Sequence, residues 1–148
     1  MLFRSIELAR RADLLKLNDD EVGSLAAWVR TGSMTAETPR TEVGIGEACA
    51  ILAEACGVRR VCVTRGRDGA SLWTEGALVS AAAPAVTVKD TVGAGDAFMA
   101  GLIVGLTRGA EPRRVLEAAC RVGAYVASQD GATPVLPPEI VAEVAGLS

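Results

Sequence analysis

The stretch that most constrains this chain is residues 90–101, DTVGAGDAFMAG, where two acids and two closely spaced glycines lie at the change from an extended segment to an apolar helix predicted over residues 95–107. Gly93 and Gly95 can adopt backbone conformations with positive φ that other residues resist. Successive N–H groups of such a turn form a concave nest for an anion, and the helix that follows adds its unpaired N–H groups and its dipole. The stretch therefore predicts a phosphate site at residues 93–96.

Asp96 places a carboxylate beside this predicted anion site, which is an odd arrangement for binding alone. It suits catalysis, because a carboxylate can take the proton of a hydroxyl group that attacks a phosphoryl group. The alternative is a plain strand-to-helix turn in which Asp96 is only a first-turn helix residue. The chain contains no GxxxxGK[ST] P-loop, and the glycine pattern lacks the third glycine of a dinucleotide fingerprint.

Composition narrows the class of protein. The chain has 148 residues, of which 50% are hydrophobic and only 3% aromatic, so a core of Ala, Val and Leu in a layered α/β domain is expected. A net charge of −3 with scattered Lys and Arg argues against nucleic-acid binding. The absence of histidine, with four cysteines and no CxxC pair, argues against zinc sites and Ser/His or Cys/His nucleophiles.

The four cysteines, at positions 49, 56, 62 and 120, are predicted to be free thiols buried in the core. Free core thiols fit a reducing cytoplasm. The first residues do not resemble a signal peptide, and no apolar run reaches the length of a membrane span. A cytoplasmic protein without a membrane partner is therefore expected.

The predicted elements begin with the end of an amphipathic helix and a short buried strand, followed by a capped helix. Asn18 is a suitable N-cap, and Glu21 three residues later completes a capping box. The predicted ranges are helix 4–12, strand 13–17, helix 19–30, loop 31–39, helix 41–57, strand 58–64, turn 65–69, strand 70–74, extended segments 78–82 and 86–89, helix 111–128 and a short helix after Pro138.

Three further segments have two interpretations each. Residues 64–70, TRGRDGA, are either a hairpin turn or a glycine loop that lets a ligand approach the backbone. The small residues of 118–124, AACRVGA, either border a flat adenine ring or only pack a neighbouring helix. Gly101 and Gly105 have the spacing of a membrane GxxxG motif but are expected to allow close helix packing.

Residues 90–101 closely resemble the C-terminal signature of the ribokinase-like (PfkB) carbohydrate kinases. An NxxE motif at 18–21, a TxGxxG motif at 64–69 and a GAxP loop at 131–134 also resemble that family, in the same order. The resemblance implies a layered α/β fold with a mostly parallel central sheet flanked by helices. Residues 1–148 would be its C-terminal, nucleotide-binding and catalytic portion, with the substrate and lid half absent. A second copy, giving a homo-oligomer, or an N-terminal half would then complete the sheet.

The resemblance also implies roles for individual residues. The catalytic set would be the base Asp96 with the backbone of Gly93, Ala94 and Gly95. ATP and Mg²⁺ would be bound through Asn18, Glu21, Thr64, Arg65, Gly66, Gly69, Gly95 and Cys120. A monovalent cation such as K⁺ would lie among Asp90, Val92, Val126, Gln129 and Gly131, mainly against backbone carbonyls.

The function implied is ATP-dependent phosphorylation of a primary hydroxyl of a sugar. Fructose is the leading substrate because residues 16–21 and 131–134 look fructokinase-like, with ribose or another small sugar or sugar acid as alternatives. A catalytically silent nucleotide-binding or oligomerisation module is the second hypothesis. If the family fold holds, Asn18, Thr64 and Asp96 should meet at one edge of the sheet, since ligands of open α/β sheets bind beyond the strand carboxyl ends.

Overall fold

The computed structural model describes residues 7–32 and 42–148. The chain divides into two compact units. The first unit comprises Met1–Arg65 and Ser71–Val79, and the second comprises Gly66–Ala70 and Ser80–Ser148.

The first unit contains most of a four-stranded sheet with the strand order β1-β2-β3-β4. Its elements are β1 (Leu14–Asn18), α1 (Asp19–Thr31), α2 (Glu42–Cys56), β2 (Arg60–Thr64) and most of β3 (Ala70–Thr74) and β4 (Ala77–Ala81). β1 and β2 are parallel, because the two helices between them provide the long crossover that parallel strands need. β3 and β4 follow through short turns, which suit antiparallel neighbours. The α/β class expected from the composition is confirmed by these alternating helices and strands.

The start of α1 is formed by the predicted capping box. Oδ1 of Asn18 accepts a hydrogen bond from the N–H of Glu21 at 2.8 Å, and the N–H of Asn18 donates to Oε2 of Glu21 at 2.8 Å. The helix ends at Gly32, whose φ of 73° lets its N–H turn back to the carbonyl of Trp28. The predicted loop therefore begins after residue 31, and its remainder, residues 33–39, lies outside the described residues.

The core of the first unit is aliphatic, as the composition predicts. Its fully buried members come from both helices and from β2: Val22, Ile45, Cys49, Leu52, Val61 and Val63. Burial raises the pKa of the Cys49 thiol to about 12. Burial also raises the pKa of Cys56, although the positive charge of Arg10 partly opposes this shift. All four cysteines are buried and form no disulfide bond, so the prediction of core thiols is confirmed.

The second unit is built around two closely packed helices, α3 (Ala94–Thr107) and α4 (Pro112–Ala127), with the shorter α5 (Pro138–Ala145) beside them. A Cβ atom on Gly105 would lie 2.7 Å from Cγ1 of Val115, and one on Gly101 would lie 3.3 Å from Cα of Ala119. The predicted close packing at these two glycines is therefore confirmed. No helix within residues 7–32 and 42–148 has both the length and the apolar character needed to cross a lipid bilayer.

The extended segment predicted at residues 86–89 does not join the sheet. The sheet ends with β4, and residues 82–93 run without regular secondary structure. Pro84 has no N–H to donate to a neighbouring strand, and the N–H of Lys89 donates to the carbonyl of Ala127 at the end of α4. The helix α3 is therefore entered from an irregular loop and not, as expected, from the carboxyl end of a strand.

The helix α4 begins at a carboxylate cap. Glu111 accepts hydrogen bonds at 3.0 Å from the backbone N–H groups of Arg113 and Arg114. Pro112 occupies the first helical position, where no N–H is needed. The N–H groups of Arg113 and Arg114 lower the pKa of the Glu111 carboxyl, because they stabilise its charged form.

This cap makes the stability of α4 depend on pH. Because folding lowers the pKa of Glu111 below 4.5, its stabilising contribution is fully present above that pH and is lost as the pH falls through the folded-state pKa. We expect Glu111→Gln to lower Tm near pH 7 and to flatten the fall of Tm between about pH 6 and pH 3, measured by circular dichroism. Glu117→Gln, an exposed change in the same helix, is the control. Identical Tm profiles for Glu111→Gln and wild type would contradict the role of the cap.

Candidate active site

The N-terminus of α3 presents two free backbone donors. Gly93, with φ of 81°, is its N-cap, and the N–H of Ala94 donates to the carbonyl of Thr91 at 3.2 Å. Within the described part of the chain, the N–H groups of Gly95 and Asp96 have no hydrogen-bond acceptor. Both residues are exposed. Two adjacent N–H groups at the positive end of a helix are suited to bind an anion.

The geometry corrects one expectation about the two glycines. Gly93 has positive φ, but Gly95 does not, because it lies in the right-handed first turn of α3. The helix begins at Ala94, one residue earlier than predicted. A Cβ on Gly95 would meet no atom within 4 Å, whereas one on Gly93 would overlap the carbonyl oxygen of Ala132 and lie 2.9 Å from its Cα. Of the two glycines, only Gly93 supplies the positive φ of the turn, and the space that a side chain of residue 95 would occupy is empty of other described residues.

Asp96 is the third residue of α3, and its side chain is exposed. Among residues 7–32 and 42–148, no group donates a hydrogen bond to its carboxylate, and no cation pairs with it. The carboxylate therefore stands next to two backbone donors without a partner of its own. Such a group can accept a proton from an incoming hydroxyl group.

The loop that leads into α3 is fastened to the end of α4. The N–H groups of Lys89 and Asp90 both donate to the carbonyl of Ala127, at 2.9 and 3.2 Å. Nζ of Lys89 pairs with Oδ2 of Asp130 at 3.4 Å, and both side chains are exposed. Oδ1 of Asp90 accepts the N–H of Val92 at 2.9 Å. These bonds hold residues 89–92 in place immediately before the turn at Gly93.

The residues predicted to surround a monovalent cation fall in this same region. Asp90 and Val92 lie in the fastened loop, while the carbonyl of Val126 accepts the N–H of Gln129 at 3.1 Å at the end of α4. Gly131 has φ of 82° and precedes the Ala132 that packs on Gly93. One carboxylate with several backbone carbonyls is a donor set that suits a hard cation such as K⁺. Binding of a cation here stays a prediction.

The first residues of the NxxE and TxGxxG motifs are neighbours at one edge of the sheet in the first unit. The register places Asn18, the last residue of β1, beside Thr64, the last residue of β2. Oγ1 of Thr64 donates to the carbonyl of Leu17 at 3.4 Å. Asn18 and Glu21 bond each other in the capping box, so their structural role is observed and their contact with nucleotide stays a prediction. Their arrangement relative to Asp96, which belongs to the second unit, also stays a prediction.

The TxGxxG segment forms the predicted turn between β2 and β3. Residues Gly66–Asp68 make one turn of 3₁₀ helix, and the N–H of Gly69 donates to the carbonyl of Gly66 at 3.3 Å. Nε of Arg65 is buried and has no hydrogen-bond partner among the described residues. Buried polar atoms are normally paired, so Arg65 has an unused donor at a predicted nucleotide position.

The small residues of α4 have a packing role. A Cβ on Gly123 would lie 3.1 Å from the carbonyl oxygen of Ala94 and 3.2 Å from Cβ of Phe98, so α4 packs tightly on the first turns of α3. Cys120 is buried, with Sγ 4.0 Å from the carbonyl oxygen of Ala81. The packing interpretation is therefore observed, and a nucleotide contact at Cys120 stays a prediction.

Two residues of the site carried no sequence signal. The hydroxyl of Tyr125 donates to the carbonyl of Val135 at 3.1 Å, which ties the segment after α4 back to that helix. Ala132 contacts Gly93 through its backbone alone. Tyr125 is the single tyrosine of the chain and belongs to no motif that the sequence analysis identified. Ala132 acts through its backbone, so its side chain gives the sequence no sign of this role.

The two signature glycines should respond differently to alanine. We expect Gly93→Ala to lower the free energy of unfolding by about 1–3 kcal/mol, since a side chain at positive φ is strained and would overlap Ala132. Gly95→Ala should leave it unchanged or raise it by up to about 1 kcal/mol, because alanine favours the helix and space is available. Urea unfolding of both variants checks this. Equal destabilisation by the two changes would contradict the geometry.

Comparison with known proteins agrees with these motifs. Residues 5–139 match the model of the pfkB family carbohydrate kinase. The chain is 33% identical to a fructokinase from Escherichia coli over 85% of its length and 38% of that enzyme. It is 38% identical to a 1-phosphofructokinase from Rhodobacter capsulatus over 70% of its length and 30% of that enzyme.

A solved structure of a carbohydrate kinase also resembles the fold of this chain. The structure of a ribokinase from Arabidopsis thaliana, complexed with ribose and ATP, matches 97% of this chain with a TM-score of 0.77 and 28% identity. The match covers 44% of that ribokinase, so the chain spans less than half the length of each of these relatives. Sequence and fold agree that the chain belongs to the pfkB family of carbohydrate kinases.

Proposed function

We propose that this chain is the nucleotide-binding and catalytic portion of a kinase that transfers the γ-phosphoryl group of ATP to a primary hydroxyl of a sugar. The observation that carries the proposal is the start of α3. There the exposed carboxylate of Asp96 lies beside the free N–H groups of Gly95 and of Asp96 itself. A base next to anion-binding donors is the combination that phosphoryl transfer to an alcohol requires.

In the proposed reaction, the Asp96 carboxylate removes the proton and the backbone N–H groups stabilise the charge of the transferring group. The sugar oxygen attacks the γ-phosphorus as the carboxylate of Asp96 takes the hydroxyl proton. The bond from phosphorus to the oxygen that bridges it to the β-phosphate breaks, and ADP leaves. The N–H groups of Gly95 and Asp96 donate to the oxygens of the transferring group. Most of the rate then comes from positioning and electrostatic stabilisation, as expected for a loose transition state.

The nucleotide phosphates are proposed to lie along residues 64–69. The unpaired Nε of Arg65 gives a donor that a phosphate oxygen would satisfy, and the exposed Gly66 leaves the backbone accessible. Asn18 and Glu21 would help to hold Mg²⁺, which supplies neutralisation of phosphate charge when bound. The loop of Asp90 and its neighbouring carbonyls would hold K⁺ and keep the start of α3 in place.

A fructose-type sugar is the proposed substrate. The two relatives named from the sequence comparison are a fructokinase and a 1-phosphofructokinase, which favours fructose or a fructose phosphate, whereas the structural relative is a ribokinase. Fructose to fructose 6-phosphate remains the leading reaction, with ribose or a sugar acid as the alternatives. Because the chain spans less than half of each relative, sugar contacts are proposed to come from a further portion of the kinase or from a second copy. Free buried thiols support a cytoplasmic location.

The first test replaces the proposed base. In a chain joined to the N-terminal portion of a related fructokinase, we expect Asp96→Asn to keep ATP affinity within about twofold while kcat falls by about 10²–10⁴-fold. Asparagine has the same shape but cannot accept the proton. Glu139→Gln is the matched control, since Glu139 is also an exposed acid in a first helical turn. Equal kcat for Asp96→Asn and wild type, in a coupled ADP-release assay, would contradict the catalytic role.

The second test uses the 148-residue chain alone. We expect it to bind ATP but to show little or no fructose phosphorylation, because the sugar has few walls to bind against. Robust turnover by this chain alone would show that it needs no further portion. Binding of ATP without any sugar-dependent turnover, even in the joined protein, would favour the silent nucleotide-binding module instead.

A further inference from the structure

The turn between β2 and β3 contains two glycines with different surroundings. Gly66 and Gly69 both have positive φ, at 54° and 94°. Beyond its chain neighbours, a Cβ on Gly66 would meet no atom within 4 Å, and Gly66 is exposed. A Cβ on Gly69 would overlap the carbonyl oxygen of Ala81 and lie 2.8 Å from Cα of Ala82 and from N of Ala83. Backbone of the same unit therefore fills the space next to Gly69.

The segment that Gly69 contacts is itself held by α4. Nη1 of Arg113 donates to the carbonyl of Ser80 at 3.3 Å. Sγ of Cys120 lies 4.0 Å from the same Ala81 carbonyl oxygen that Gly69 approaches. The end of β4 is thus a fixed support, and the turn rests on it through Gly69.

The contact at Gly69 bears on Gly66 through one hydrogen bond. The N–H of Gly69 donates to the carbonyl of Gly66 at 3.3 Å, across the 3₁₀ turn. Displacing Gly69 from the end of β4 would therefore displace the exposed backbone of Gly66 as well. Any side chain at position 69 forces that displacement, because the obstructing atoms are backbone and cannot rotate away.

We propose that Gly69 is a positioning residue that docks the turn on the end of β4, so that Gly66 presents its open backbone to the nucleotide phosphates. The inference rests on the proposed function for the nucleotide. It replaces the direct nucleotide contact that the motif suggests for Gly69 with a contact to the backbone of residues 81–83. The ligand would approach Gly66 and not Gly69.

The experiment compares Gly69→Ala with the matched variant Gly66→Ala in the full ¹⁵N-labelled chain. Amide hydrogen exchange is measured without nucleotide, and affinity is measured by titrating ATP with Mg²⁺. Gly69→Ala should speed exchange at the amides of residues 69 and 81–83 by about tenfold and also weaken ATP binding by about tenfold. Gly66→Ala is strained at its positive φ but meets no atom of the described residues, so it should weaken ATP binding while leaving exchange at the amides of residues 81–83 within about twofold of wild type.

Each departure from this pattern has a meaning. Faster exchange in Gly69→Ala with unchanged ATP affinity would reduce Gly69 to a purely structural role and overturn the proposal. Weaker ATP binding with unchanged exchange would make Gly69 a direct contact and also overturn it. If wild type binds no ATP, the proposed nucleotide site fails. The docking of Gly69 on β4 is then judged by exchange alone: faster exchange in Gly69→Ala supports it, and unchanged exchange overturns it.

A wild-type measurement covers the case in which Gly69→Ala does not fold. A nuclear Overhauser effect between the α protons of Gly69 and Ala82 should be present, since their backbones are in contact. On addition of ATP, the amide of Gly66 should shift more than that of Gly69. Absence of the Overhauser effect, or a larger shift at Gly69, would overturn the proposal.

Discussion

The close approach of Gly93 to the carbonyl of Ala132 is the contact on which the candidate active site depends. A side chain at position 93 would overlap that carbonyl, so the turn can form only with glycine there. The contact lets α3 begin at Ala94 and leaves the N–H groups of Gly95 and Asp96 without acceptors. The start of α3 and the segment after α4 are therefore in contact through the backbones of Gly93 and Ala132. Hydrogen bonds from Lys89 and Asp90 to Ala127 fasten the same loop from the other end.

Small side chains make this arrangement possible further into the second unit. With so few aromatic residues, the chain brings α3 and α4 together through Gly101, Gly105 and Gly123, which approach backbone or short side chains of the facing helix. Such packing fixes the relative position of two helices closely, because interiors are dense and little adjustment is available. The helix end that would bind phosphate is thus supported by a rigid pair, as a site that acts through positioning requires.

The two glycine motifs share one design. In each, a glycine of positive φ packs against distant backbone, Gly93 on Ala132 and Gly69 on Ala81, and another glycine close by faces open space. Gly95 and Gly66 are those open positions, and both are exposed. Membership of the pfkB family explains why both motifs occur in one chain, while the packing explains why positions 93 and 69 are glycine. The chain spans less than half the length of these relatives, so the sugar-binding site is proposed and is not observed in the structure.

The sequence by itself determined features that depend on neighbours within about four residues: the capping box of Asn18 and Glu21, and the glycine turn after β2. Composition was enough for the aliphatic core and its free thiols, because burial follows hydrophobicity. Only the tertiary structure decided that residues 86–89 lie outside the sheet, that Gly93 and not Gly95 has positive φ, and that Tyr125 and Ala132 take part in the site. These features depend on contacts between segments far apart in the chain, and a glycine in the sequence does not reveal which backbone will lie against it.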